Sequence, residues 1–391
     1  MENISKSLPV AINKCGEYNF DSIKKIISEQ ISALISDESF FKDKNVVIKP
    51  NLLMKASPDK SITTHPVVMK AVIEVIKEYC PKSIKLAESP GGPYNTAALG
   101  IIYKSTCMTE VAAECGIELN YDTSFKAVSH PEGKVCKVFD IITPIADADV
   151  IVNVCKLKTH SLTTMSASVK NLFGTIPGIE KFEMHTRYKE LPIFEAMLAD
   201  LCEMHYKSKP MLCIVDAVKG MEGNGPSGGT IRSFGLLMSS LNPFNLDTAC
   251  SAVMGVENTV GYIEEGKKKG LCVQSSTELT VIGESINDIK LSDLILPETK
   301  SLPILKKLPT LFGGRLNKFL EPKPEIRTNK CIGCGECARS CPAKTISVVK
   351  KNNKRIAVID DRNCIKCYCC QELCPINAVK VKKNIIFKLI K

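Results

Sequence analysis

Cys331-Ile-Gly-Cys334-Gly-Glu-Cys337-Ala-Arg-Ser-Cys341-Pro342 recurs in spacing as Cys364-Ile-Lys-Cys367-Tyr-Cys-Cys370-Gln-Glu-Leu-Cys374-Pro375. Both copies read C-x2-C-x2-C-x3-C-P, a spacing of thiolates that holds iron–sulfur cubes. Three cysteines two residues apart sit on one tight loop and wrap three corners of a cube. The fourth, followed by proline, is directed at the other cube. The spacing therefore assigns Cys331, Cys334, Cys337 and Cys374 to one [4Fe–4S] cluster, and Cys364, Cys367, Cys370 and Cys341 to a second. Exchange of the fourth ligand ties the halves together, so neither cluster is expected to form well alone.

Zinc is a poorer reading, because a tetrahedral ribbon site has no use for a third cysteine two residues on. Disulfides would need an oxidising compartment, and nothing else in the chain points to one. Cys369 lies between ligands; it reads as a spare buried thiol, or as a substitute for Cys370 in a remodelled loop. The C-terminal module is thus expected to be a small α+β two-cluster ferredoxin domain.

The 391 residues are enough for two or three domains, and 44% apolar with 24% charged residues is an ordinary globular balance. Of 19 cysteines, those outside the two motifs are scattered without framework spacing, which suits a reducing cytosol. The first residues lack the apolar stretch of a signal peptide, and no uncharged apolar run approaches the ~20 residues of a membrane span. The expected location is cytoplasmic. The formal charge of +10 falls once the ligand thiols ionise around two cluster cores of about +2 each, leaving roughly +6. Such a mild basic excess fits an acidic electron donor or acceptor protein. Nucleic acid is not an expected partner: there is no Trp and no recognised binding module.

Upstream of the motifs, apolar runs and helical periods alternate. Asp21–Ile35 has the helical period with Asp21 as expected N-cap, Asn45–Leu52 reads as a strand ended by Pro50, and Pro66 opens a helix to about Tyr79. Further strands are expected at Ser83–Ala87, Asp149–Cys155, Met211–Asp216 and Phe234–Ser239, with helices around Ser166–Phe173 and over 190–206. The pattern is that of βαβ units: an α/β domain around a mainly parallel sheet. The expected division is 1–296 for this domain, 297–324 for a Pro- and Lys-rich connector, 325–384 for the ferredoxin module and 385–391 for a tail.

Functional groups of such sheets gather on loops at the carboxyl ends of strands. Lys49 and Asn51, then Thr64 and His65, then Glu88, fall there, as do Lys156, Lys158 and His160, and Lys170 with Asn171. Asp216, Glu222, Gly223, Asn224 and Gly225 flank or form a glycine-rich stretch, Gly220–Gly229. That stretch is neither a dinucleotide fingerprint nor a P-loop. Its glycines either allow a tight turn or let backbone amides approach an anion. Lys156, Lys158 and His160, taken alone, read as a solvated strand end, and His130, His185 and His205 as structural or surface residues.

Lys49-Pro50-Asn51, Thr63-Thr64-His65-Pro66, Lys156-Leu-Lys-Thr-His160, Lys170-Asn171-Leu-Phe-Gly174, Asp216 through Met221-Glu-Gly-Asn-Gly-Pro-Ser-Gly228, and Asp247 resemble the DUF362 family of iron–sulfur proteins over about residues 45–285. The resemblance implies one shared cleft lined by these polar positions and carries no settled activity. Two readings follow. In the first, electrons pass through two [4Fe–4S] clusters to a substrate in the α/β cleft. Lys49, Lys156, Lys158, Lys170 and the glycine-loop amides hold an anionic small molecule, and Glu88, His160, Asp216 or Glu222 deliver protons. In the second, the chain is a non-catalytic electron carrier or docking subunit for a partner oxidoreductase. A metal ion held by the acidic residues and His160 is a third possibility.

Overall fold

A computed structural model describes residues 7–299 and 322–382. Short runs rich in Val and Ile, such as Asn45–Pro50 and Val150–Cys155, are buried on both faces and build one sheet. Its strands, in chain order, are β1 (Val10–Lys14), β2 (Asn45–Pro50), β3 (Ser83–Leu86), β4 (Glu118–Leu119) and β7 (Val150–His160), with β8 (Thr164–Ser166), β9 (Met211–Glu222), β10 (Thr230–Ser240) and β11 (Val281–Gly283). β5 (Phe125–Ser129) and β6 (Val138–Ile142) form a separate antiparallel hairpin. Across the main sheet the order is β11-β1-β10-β9-β7-β2-β3-β4, with β8 folded back on β7. The central run β9-β7-β2-β3-β4 is wholly parallel, and β10 is antiparallel to both of its neighbours. The expected α/β class with a mainly parallel sheet is what the chain adopts.

Each face is covered by helices, as a sheet apolar on both sides requires. Val46, Ile48, Val152 and Val154 pack with the helices Phe20–Leu34 and Pro66–Lys77. Ile151, Cys155 and Leu157 point the other way, to the helices Leu191–Ser208 and Pro243–Val253. The helix Pro66–Lys77 keeps Val68, Met69, Val72, Val75 and Ile76 fully buried. Each such side chain contributes about 1.5–3 kcal/mol relative to exposure.

Several local expectations need correction. The first helix is capped by Asn19, whose side chain accepts from the Ser22 amide at 3.0 Å, and Asp21 lies in the first turn. Helices at Thr96–Ser105 and Gly178–Arg187 were not anticipated. β7 runs past Cys155 to His160, so Lys156 and Lys158 are buried strand residues and not a solvated end. Gly220–Glu222 belong to β9, and 223–229 is the turn of the β9–β10 hairpin.

The C-terminal module pairs β12 (Lys323–Ile326) with β15 (Val379–Lys382) and β13 (Ile346–Lys351) with β14 (Lys354–Ile359), all antiparallel, around two short helices, Glu336–Arg339 and Cys369–Glu372. Asn352 and Asn353, at φ 47° and 57°, make the tight turn of the second hairpin. Of the connector expected at 297–324, residues 300–321 lie outside the described residues, as do residues 383–391, which include the tail. None of the described helices is long and apolar enough to cross a membrane.

Candidate functional site

The cysteine motifs fold as two related loops. Gly333 and Gly335 take positive φ in the first, and Lys366 and Tyr368 take it at the matching positions of the second. Lys344 and Asn377, three residues after each trailing cysteine, do the same. This backbone turns the cysteines inward. Cys331, Cys334, Cys337 and Cys374 line one apolar cavity of about 330 Å³, and Cys341, Cys364, Cys367 and Cys370 line another of about 300 Å³. The foursomes are those the spacing assigned, including the exchanged fourth members.

Amide groups already point at the sulfurs. Gly333 and Ala357 donate to Cys331 Sγ at 3.4 Å, Ala378 to Cys374 Sγ at 3.1 Å and Thr345 to Cys341 Sγ at 3.3 Å. Four soft thiol donors around a small dry space, with N–H groups aimed at them, fit a cubane cluster.

A third cavity, about 630 Å³, lies where the two domains meet. The α/β side of its wall comes from the carboxyl ends of parallel strands: Asn51 after β2, Glu88 after β3, and Lys158 and His160 on β7. Lys170 and Asn171 come from the turn of helix Ser168–Asn171, whose first amides, Ser168 and Val169, are held by the buried Asp247 carboxylate at 2.7 and 3.0 Å. Burial pushes that carboxyl up to about 7. Ser89, Ser166, Lys181, Phe173, Phe182 and His185 complete this side. Cys369, Glu372 and Leu373 close it from the ferredoxin module.

The polar groups of the wall are fixed. Lys49, directly behind it, pairs with Glu88 at 2.9 Å, and the same Glu88 oxygen accepts from the Leu52 amide at 3.0 Å. Lys158 donates to Asn51 Oδ1 at 2.9 Å and to the Ile62 carbonyl at 2.7 Å. Lys181 donates to Ser89 Oγ at 3.0 Å and to the Pro90 carbonyl at 2.9 Å. A chain of amides, Asn51 to Asn171 at 3.0 Å and Asn171 to Asn153 at 2.7 Å, sets the floor. The half-buried Lys170 lies with Nζ 4.7 Å from the centre of the Phe173 ring. His160 Nδ1 accepts from the Leu162 and Thr163 amides, so its other nitrogen carries the proton, 3.9 Å from Glu372.

Burial acts on every lysine here. It draws Lys158 and Lys181 down to about 7, against the pull of Glu372 and of Glu88 respectively. It lowers Lys49 and Lys170 as well. Four amines face two carboxylates, Glu88 and Glu372, so the site is short of negative charge.

Other expected residues sit elsewhere. Lys156 and Asp216 form a buried ion pair at 2.9 Å, joined by the Tyr18 hydroxyl at 2.6 Å from Lys156. Tyr18 stacks on His65, ring centres 3.6 Å apart, and the His65 amide donates to Asp216. Thr64 accepts from the Asn51 amide and donates to the Val154 carbonyl. These groups support β2, β7 and β9 from outside the cavity. Glu222 accepts from the Ile295 amide at 3.2 Å and holds the hairpin, not the cavity. Gly223 accepts from Thr159, a Cβ at Gly225 would meet the Thr159 carbonyl at 2.1 Å, and the Asn224 carbonyl accepts from Gln371 at 3.1 Å. The glycine turn thus seats the ferredoxin module, and of its residues Pro226 lines the cavity. Among the described residues, the His and acid side chains close enough for a metal ion are His130, Asp200 and Glu203, not those around His160. That trio is already engaged by Lys269 and Lys207.

The sequence pattern described as Domain of unknown function (DUF362) matches residues 46–252, and that of a 4Fe-4S dicluster domain matches residues 330–378. This chain belongs to the DUF362 family. Its DUF362 domain holds every α/β-side residue of the cavity, and its iron–sulfur domain points to electron transfer. The chain is similar to the thylakoid-associated protein sll1697 of Synechocystis sp., 29% identical over 282 residues, which is 70% of this chain and 82% of that one. Two solved structures align with a TM-score of 0.36. One is a Thermotoga maritima protein, 12% identical over 68% of this chain and 61% of that one. The other is the lactate racemase apoprotein of Thermoanaerobacterium thermosaccharolyticum, 11% identical over 54% and 51%. This chain thus spans less than two thirds of either.

Lys181, Cys369 and Glu372 escaped the sequence reading as cavity residues. A Cβ at Gly178 would lie 1.9 Å from the Gly92 carbonyl, so the glycine at 178 lets the Lys181 helix pack against the cavity.

Proposed function

We propose that this DUF362 protein is an iron–sulfur redox protein that carries two [4Fe–4S] clusters and reduces or oxidises a small anionic molecule held in the inter-domain cavity. One observation carries the reading. Cys369, Glu372 and Leu373 line the cavity, while Cys370 and Cys374, in the same short segment, belong to the two cluster cysteine sets. Four helical residues span about 6 Å, so cavity wall and cluster ligands are immediate neighbours. The clusters, when bound, supply single electrons.

The chain's own residues supply the rest. Lys158, Lys170 and Lys181 attract and orient the anion, and burial of the first and last strengthens their field. Lys49 keeps the Glu88 carboxylate in place, and Glu88 and His160 are positioned to exchange protons with the bound molecule. Asn51 fixes the Lys158 head, and Asn171 in turn fixes Asn51. Asp216, Lys156 and Glu222 act as supports.

The test is anaerobic. Reduced holo-protein is mixed with small organic and inorganic anions and followed by EPR. Reoxidation of the reduced clusters with matching reduction of the added molecule, lost in Lys170→Met, is the expected result. Reoxidation only by a partner protein, with no response to any small molecule, would favour the carrier reading. One feature speaks for that second reading: Cys334 is exposed and Ile332 beside it is 60% exposed, an opening through which a partner could exchange electrons.

A further inference from the structure

Among the described residues, two groups at the cavity have no protein counterpart of the kind they need. Glu88 is buried, and its Oε2 is used by Lys49 and the Leu52 amide, yet Oε1 has no hydrogen-bond partner among the described residues. A buried carboxylate oxygen left without a donor is costly. Lys170 meets the face of Phe173 rather than an acceptor, and the other charges felt by its amine are those of Glu372, Cys369 and Lys49. A cation short of an anion thus shares a cavity with an acceptor short of a donor.

A bare anion satisfies the first need and worsens the second, because its lone pairs would face Glu88 Oε1. A cationic donor satisfies Glu88 but is repelled by Lys158, Lys170 and Lys181. Resting on the reading of this cavity as the substrate site, we propose that its ligand is an oxyanion that also carries an O–H donor. A protonated phosphoryl group and a carboxylate with an adjacent hydroxyl share that chemistry. The anionic oxygens meet Lys170, and the O–H donates to Glu88 Oε1. The neighbouring Phe173 and Leu373 accept an apolar remainder.

The experiment is calorimetric titration of oxidised holo-protein, without reductant, using inorganic phosphate against sulfate and glycolate against propionate. Each pair matches in size but differs in the O–H. A preference of at least about tenfold for phosphate or for glycolate is expected, since a site built to bond a hydroxyl rejects the analogue lacking it. The pair that discriminates names the source. Lys170→Met should weaken binding about tenfold without changing the ratio, and Glu88→Gln should collapse the ratio. Equal binding within both pairs, no binding of any of the four, or an unchanged ratio in Glu88→Gln would overturn the proposal. If Glu88→Gln fails to fold, the wild-type ratio and Lys170→Met decide. Discrimination without reoxidation of reduced clusters would leave this inference standing and remove the redox reading. Reoxidation by a molecule with no O–H donor would do the reverse.

Discussion

Lys49 Nζ and Glu88 Oε2 meet at 2.9 Å with neither side chain open to solvent. The pair ties β2 to the segment after β3 and leaves the other carboxylate oxygen, Oε1, without a hydrogen-bond partner among the described residues. Removing one member of a buried pair strands the other charge. Lys49→Met is expected to cost about 3–5 kcal/mol of stability. Urea unfolding of the anaerobic holo-protein measures it, and a cost under about 1 kcal/mol would mean that water already reaches Glu88.

Gly174 stands over the same pair. A Cβ there would lie 2.1 Å from Glu88 Oε1 and 2.7 Å from Lys49 Nζ. Because those atoms are held in place, Gly174→Ala should cost about 1–3 kcal/mol by overpacking. Its larger effect should be on ligand binding, since the oxygen displaced, Oε1, is the one assigned to the ligand's O–H. Wild-type affinity with reduced stability would separate the two effects and contradict this geometry.

Lys158 has a definite pH signature. Burial lowers its amine to about 7, with Glu372 opposing and Lys156 and Lys170 adding to the fall. An anion prefers the ammonium form, so binding should take up a proton and weaken as pH rises through about 7. Stability moves the other way. Above about 7 the unfolded amine still holds a proton that the folded one has lost, so stability rises with pH from there to the unfolded value near 10.5. Lys158→Met should reduce both slopes, leaving the part that Lys181, also drawn down to about 7, contributes. Calorimetry in buffers of different ionisation heat checks the first, and denaturant midpoints between pH 7 and 9 check the second.

The crossed cysteine sets predict a pattern of pairwise losses. Cys334→Ser and Cys374→Ser remove ligands of one cavity, so the double variant should lose no more iron than either single one. Cys334→Ser with Cys341→Ser strikes both cavities and should approach zero from a starting content of about eight irons. Iron analysis with EPR reads the result. Loss of iron from both sites in Cys334→Ser with Cys374→Ser, beyond what each single variant shows, would argue against the crossing.

The cluster cysteines were legible because metal geometry fixes their spacing within a few residues. The α/β class was legible because strands buried on both faces must be runs such as Val46-Val47-Ile48. Part of the cavity wall could be found by looking at the ends of those strands, as Asn51, Glu88, Lys158 and His160 show. What escaped depended on contacts between distant segments. Lys181 comes from a polar helix whose buried face carries Lys181 and His185 beside Met184, and Cys369 and Glu372 reach the cavity only because one domain docks on the other. The glycine stretch misled for a different reason: a hairpin turn pressed against Thr159 needs small residues as much as an anion cradle does. Lys156 and Lys158 read as equivalent, but a register shift between them on the β9 side goes with one facing Asp216 and the other the cavity.

The short helix Cys369–Glu372 is at once a lid on the cavity and a strut between the two cysteine sets. An oxygen-damaged copy that sheds its iron should therefore forfeit its grip on small molecules together with its wiring. Such a protein would fall silent rather than sequester a ligand it can no longer transform.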